Sequence, residues 1–182
     1  IRELPIEVHT KFVESHKPIL TSLFECLLPE DMISIDEKLF EKRYGILYNE
    51  PLIRFRILDD TLSHKYSFSF SDMTVSISDV ANHPISCQDC LVVENQMTFL
   101  TLPEFSNTIA IWGEGKKAII LGDISWLHQT NIYYWGDLDV DGFIILSKLR
   151  EKFPHTQSIM MDETTYTTFE NFSVDNTASA TP

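Results

Sequence analysis

The stretch Tyr133-Tyr134-Trp135-Gly136-Asp137-Leu138-Asp139-Val140-Asp141-Gly142 reads as an apolar strand that breaks into alternating aspartates and then starts a helix. Residues two apart on a half-buried strand share a side, so Asp137 and Asp139 are predicted to converge beyond its carboxyl end. Two carboxylates held that close repel each other unless a hard cation lies between them. Oxygen-only ligation of this kind suits Mg²⁺ or Mn²⁺ rather than zinc. The same residues allow a second reading: Asp137 starts a turn and Asp139 or Asp141 caps the helix opening at Gly142, Asp being favoured at both positions. A third acidic residue on another strand is what separates the two.

Leu91-Val92-Val93-Glu94-Asn95 is a short apolar run ending in Glu94 and followed by the helical pattern Gln96, Met97, Phe99, Leu100. A run apolar on both faces reads as a central parallel strand, and open α/β sheets place ligands beyond the carboxyl ends of such strands. Glu94 is therefore predicted at the same sheet edge as Asp137 and Asp139. Between them Thr108-Ile109-Ala110-Ile111-Trp112 closes on Gly113-Glu114-Gly115 and leads into a predicted helix from Lys116 to about Leu121. The repeating unit of strand, acid or glycine turn, and helix is the sequence form of a parallel sheet with right-handed crossovers, an α/β fold.

Glu94 after one strand, glycines after the next and Asp-x-Asp after the third resemble the Toprim domain of topoisomerases, primases and some nucleases. Three segments more closely resemble one family: Arg2-Glu3-Leu4-Pro5-Ile6 with Thr10-Lys11-Phe12, then Val92-Val93-Glu94-Asn95, and Tyr134-Trp135-Gly136-Asp137-Leu138-Asp139 running to Phe153-Pro154-His155. Together they resemble the C-terminal half of the JetD family, the nuclease subunits of Wadjet anti-plasmid systems, themselves similar to the A subunit of topoisomerase VI. The likeness extends over residues 2–166.

The resemblance implies a Toprim domain over residues 86–168, preceded by a partial winged-helix-like or linking segment over residues 1–85; past Tyr166 the sequence loses its apolar period, so residues 169–182 are expected to be a poorly ordered tail. It also implies a further arm ahead of Ile1, so the sequence is expected to be a piece of a longer protein. The activity implied is metal-dependent cleavage of plasmid DNA. Glu94, Asp137 and Asp139 would be the catalytic and Mg²⁺- or Mn²⁺-binding acids, with Glu94 alternatively a general acid or base. The partners implied are DNA, an SMC-type JetABC complex and a second copy of the chain.

Where the family has a Thr-His pair, this chain has Val140-Asp141. The extra acid resembles the Asp-x-Asp-x-Asp-Gly of type II topoisomerases, so Asp141 either ligates a second ion or caps the helix. A topoisomerase would need a tyrosine nucleophile, and Tyr44, Tyr48 and Tyr66 match no such context. Water is then the expected nucleophile. A topoisomerase VI-like transesterase and a non-catalytic, ion-stabilised docking module remain as alternatives. His155 and Asp162 are candidates only for contacting a phosphate or supporting a metal ligand.

The chain has 182 residues and a formal charge of −13, the wrong sign for gripping a polyanion over a wide surface. Ions on the acidic cluster, together with a basic arm or partner, would reconcile that charge with DNA; otherwise the chain never touches DNA. Its apolar runs fall short of the roughly 20 residues of a membrane helix. Arg2, Glu3 and Glu7 interrupt any signal-peptide core, so a cytoplasmic location is the default expectation. Cys26, Cys87 and Cys90 are an odd set, and Cys87-x-x-Cys90 with His83 lacks a fourth zinc ligand, so reduced thiols are expected.

In the first half, residues 10–28 are predicted helical with Pro18 near the start of the longer part and Ile19, Leu20, Leu23, Phe24, Leu27 and Leu28 as one core-facing stripe. Ser34-Ile35-Asp36-Glu37 reads as a capping box for a helix through about Lys42, stopped by Gly45. Ile53-Arg54-Phe55-Arg56-Ile57 alternates as an amphipathic strand, with Arg54 and Arg56 either facing phosphate or lying on a solvated face. Ser67–Ser71 and Thr74–Ser78 are read as a hairpin or edge strands.

Overall fold

The structure is a computed structural model that describes residues 10–46 and 48–173. The chain divides into two compact units, residues 1–50 and 51–182. The expected boundary at 85/86 thus falls within the second unit, because the strands ahead of it are hydrogen-bonded into the main sheet.

In the first unit, α1 (Thr10–Leu27) is broken at His16 (φ −121°, ψ 16°), two residues before Pro18. The pyrrolidine ring disfavours helical geometry just ahead of it and removes a donor, which accounts for the break. The predicted stripe is only partly covered: Ile19, Leu23 and Leu27 are exposed, and Phe24 stacks on Phe40 and meets Tyr44 edge-on. The short α2 (Phe40–Arg43) has no side-chain N-cap, because Ser34 and Glu37 close a turn with their own backbone instead of starting the helix. Its end is as expected. Gly45 takes φ +60°, and its N–H and that of Ile46 donate back to the Lys42 and Glu41 carbonyls, a Schellman closure.

The second unit is built on β1 (Leu52–Ile57), α3 (Asp60–Lys65), β2 (Asp72–Ser76), α4 (Ile77–Asn82), β3 (Asp89–Val93), α5 (Gln96–Thr101), β4 (Thr108–Trp112), β5 (Asn131–Trp135), α6 (Val140–Lys152), β6 (Gln157–Ser158) and α7 (Glu163–Phe169). Six strands form one sheet in the order β2-β1-β4-β3-β5-β6. β4, β3, β5 and β6 run parallel, and β1 is antiparallel to both β4 and β2. This is a mixed, mainly parallel α/β sheet flanked by helices, as a Toprim-like fold requires. Between β4 and β5 the chain winds through 3₁₀ turns at Gly115–Asp123 and Ser125–Gln129 rather than the predicted α-helix.

Alternation sorts the strand residues between two cores. Ile53, Phe55 and Ile57 of β1 join Cys90, Val92, Ile109, Ile111, Ile132 and Tyr134 on one face, closed by Ile145, Leu146 and Leu149 of α6. On the other face Val93 and Ala110 pack with Phe99 of α5. Arg54 and Arg56 point to that second face, and both guanidinium groups lie over the Phe99 ring. Arg54 pairs bidentately with Asp72, and Arg56 Nη1 donates to the Phe99 and Leu100 carbonyls (2.6 and 2.9 Å), two of the acceptors that the end of α5 leaves open. Both arginines are thus held by the fold rather than displayed to phosphate.

Only Thr74–Ser76 of the expected second edge segment is strand; Ser76 caps α4, and Ser67 (φ +56°) turns the chain at the first. Phe68 packs edge-on against Phe55, whereas Phe70 is exposed. Of the expected tail, residues 169–172 are helical, the end of α7 and a following 3₁₀ turn, and residues 174–182 lie outside the described residues. Among the described residues no helix is long and apolar enough to cross a membrane.

Candidate metal centre

The chain steps from β3 sideways to β4, then crosses back over β3 to reach β5. It leaves β3 toward α5 on one face of the sheet and β5 toward α6 on the other. The carboxyl ends of β3 and β5, paired at Val93 and Trp135, are therefore a topological switch point, where open α/β sheets form a crevice. Glu94 occupies the first position beyond β3 and Asp137 the second beyond β5, after Gly136.

Glu94 is fixed by its neighbours. Its N–H donates to Trp135 O (3.0 Å), and its carbonyl accepts from Trp112 Nε1 (3.0 Å). Its Oε2 accepts from the Tyr134 hydroxyl (2.8 Å) and, more weakly, from the Asp137 N–H (3.4 Å). Asn95 follows as the cap of α5, accepting from Met97 and Thr98 N–H groups. The predicted strand end is thus also a helix start, and Glu94 is the residue between them.

Asp137 and Asp139 do not extend β5, which ends at Trp135. Two glycines hold the loop instead of a continued period of two. A Cβ on Gly136 would lie 2.6 Å from Tyr134 Cζ, and one on Gly142 would meet the Asp137 carbonyl oxygen, with the carbonyl carbon at 3.2 Å. Asp139, not Asp141, caps α6: its Oδ1 accepts from the Gly142 N–H (2.8 Å). A carboxylate has two oxygens and about four acceptor sites, so this cap leaves Oδ2 available. Asp141 is exposed in the first turn, where its charge suits the helix N-terminus.

The three acids of the sequence reading converge electrostatically on one atom. Burial, the hydrogen bond to Glu94, and the charges of Glu94, Asp137 and Asp139 together hold the Tyr134 hydroxyl far above its usual range. Tyr134 is accordingly a neutral donor. Among the described residues, however, no three His, Cys, Asp or Glu side chains are gathered closely enough to chelate an ion as they stand.

His155 lies elsewhere: its Nε2 donates to Thr130 O (2.9 Å), at the opposite end of β5 from the acids. Five residues at about 3.3 Å each separate the two ends by roughly 16 Å, so His155 pins a loop and does not touch the site. Asp162 caps α7 through Thr165 N–H (2.8 Å), a bond that holds its carboxyl below the usual range. It lines a hollow with Leu138, Phe143 and Tyr166 beside the aspartate loop. Burial pushes the Cys87 thiol up to about 11 and holds that of Cys90 well above its usual range, so both stay protonated.

The sequence profile of the Wadjet protein JetD, C-terminal, matches residues 45–182. The chain belongs to that family. No curated protein matches it. Membership in the JetD C-terminal family ties the chain to the Wadjet system, and the match covers the whole sheet together with Glu94, Asp137 and Asp139. Sequence reading missed two groups that fix Glu94, the Tyr134 hydroxyl and the Trp112 indole. The available signal was a tyrosine at a buried strand position just ahead of Gly-Asp, since a buried phenol needs a hydrogen-bond partner.

Proposed function

We propose that this chain is the catalytic portion of a divalent-metal-dependent DNA endonuclease that cleaves plasmid DNA for a Wadjet system. The observation that carries the reading is the tie between two strands at the switch point, with Glu94 Oε2 accepting from both Tyr134 and the Asp137 N–H. The donor set is all oxygen and anionic, which fits Mg²⁺ or Mn²⁺ and not zinc. Glu94, Asp137 and the free Oδ2 of Asp139 would hold the ion after side-chain rotation, with Asp141 in the first turn of α6 as an outer acid. A bound ion would supply positive charge to the phosphate and make the attacking water more acidic.

The chain's own residues do the rest. In place of ligating the ion, Glu94, half-buried and oriented, is suited to take or return the proton as water's oxygen bonds to phosphorus and the bond to the leaving sugar oxygen breaks. Tyr134 is wholly buried and cannot itself attack phosphorus; water is the nucleophile in this reading because Tyr44, Tyr48 and Tyr66 match no topoisomerase context. A formal charge of −13 makes the ion, or a basic partner, necessary for DNA to approach at all. The family resemblance extends the reading to a homodimer served by an SMC-type JetABC complex in the cytoplasm.

One observation favours the docking-module reading: Asp139 already has a structural task as the cap of α6. Incubating supercoiled plasmid with the chain and Mg²⁺ or Mn²⁺ separates the possibilities. Nicked or linear product with protein-free ends, lost in Glu94→Gln and Asp137→Asn, is expected. A covalent protein–DNA adduct would establish a transesterase, and cleavage unchanged in both variants would remove these acids from catalysis.

A further inference from the structure

We propose that Tyr134 is the positioning residue of the site, turning the Glu94 carboxylate so that Oε1 is offered to the ion; this rests on the metal-site reading above. Four features of the structure carry it. Tyr134 and Glu94 lie on one face of neighbouring parallel strands, Val92 being paired with Tyr134 and Glu94 two residues further on. The Tyr134 ring is fully buried, so its hydroxyl has little freedom to choose another partner. That hydroxyl donates to Oε2 at 2.8 Å, and the Asp137 N–H approaches the same oxygen at 3.4 Å, leaving Oε1 without a hydrogen bond among the described residues. Gly136 sits opposite Glu94 in the continued register, and any Cβ there would occupy the space the phenol crosses.

A buried phenol could meet its hydrogen-bond requirement on any backbone carbonyl. Here its only donor goes to a half-exposed acid whose neighbours are two further acids. A neutral donor on one oxygen fixes the carboxylate's rotation and withdraws negative charge from that oxygen, so the remaining one is aimed. Groups that orient metal ligands in this way typically change affinity by about 10–100-fold when removed.

Tyr134→Phe keeps the ring and its packing and deletes only the donor. Free Mn²⁺ measured by electron paramagnetic resonance should report Mn²⁺ affinity weakened by about 10–100-fold in this variant. Its thermal unfolding without added metal should stay within a few degrees of the parent. The parent should also give a tyrosine difference band in near-ultraviolet absorbance on adding Mg²⁺, absent from Tyr134→Phe even at saturating ion. Equal Mn²⁺ affinity in parent and Tyr134→Phe would overturn the positioning role while leaving the metal site standing. Absence of Mn²⁺ binding by the parent would overturn both. Should Tyr134→Phe fail to fold, the parent's band decides: its presence supports the proposal, and a flat difference spectrum at saturating Mg²⁺ refutes it.

Discussion

Asp139 carries two tasks that a single substitution can separate. Its Oδ1 closes the first turn of α6 on the Gly142 N–H, and its charge belongs to the acidic set around Tyr134. Asn caps about as well as Asp, whereas Ala does not cap. Asp139→Ala should therefore lower unfolding free energy by about 1 kcal/mol in urea titrations. Asp139→Asn should leave stability near the parent and still weaken Mn²⁺ binding. Equal loss of stability in both variants would mean that charge at the helix end, not the cap bond, is what matters. Gly136 is a second informative position: the methyl of Gly136→Ala would press on the Tyr134 phenol. The expected cost is about 1–3 kcal/mol, accompanied by loss of the tyrosine–Glu94 contact in near-ultraviolet spectra.

The central elements were legible in sequence because their patterns have one explanation each. Val92-Val93 and Ile109-Ala110-Ile111 are apolar on both faces, and the structure gives central parallel strands with Glu94 at the end of one. The shared carboxyl edge of the acids was legible from where they end apolar runs, whereas the strand order that makes it a switch point was not. What was not legible depended on partners distant in sequence. Ile53-Arg54-Phe55-Arg56-Ile57 was correctly alternating, yet nothing local says that it pairs antiparallel with β4 or that Arg56 closes the end of α5, 43 and 44 residues away. The period of two does not continue through Asp137 and Asp139, because the chain leaves the sheet at Trp135; the tight fits at Gly136 and Gly142, together with the Asp137 N–H bond to Glu94, hold the loop there. Arg56→Ala should cost about 1–3 kcal/mol by leaving two helix-end carbonyls without their donor. Lys at this position should recover only part of that loss, since it lacks the planar fork that also stacks on Phe99. Full recovery by Lys in chemical denaturation would reduce the contact to simple charge.

For the molecule as a whole, acid should unfold the second unit through its tied aspartates. The Arg54 guanidinium holds the Asp72 carboxyl below its usual range, and the Asn107 and Thr61 N–H groups do the same for Asp59. Groups with depressed folded pKa values contribute stability that is complete above the unfolded value of about 3.9 and lost as pH falls through the folded value. Melting temperature should thus be level near neutrality and drop below about pH 4, with a shallower drop in Asp72→Asn; identical profiles would remove this pair from acid unfolding. The formal charge of −13 sets a further expectation, that DNA binding measured by fluorescence anisotropy needs Mg²⁺ and vanishes in EDTA. Everything turns on whether acids from two strands hold one ion. Calorimetric titration of Mn²⁺ into the parent chain, Glu94→Gln and Asp137→Asn, each checked for intact folding, asks this directly. A single metal centre predicts binding in the parent that is lost in both variants. Undiminished binding in either variant, or none in the parent, would contradict it.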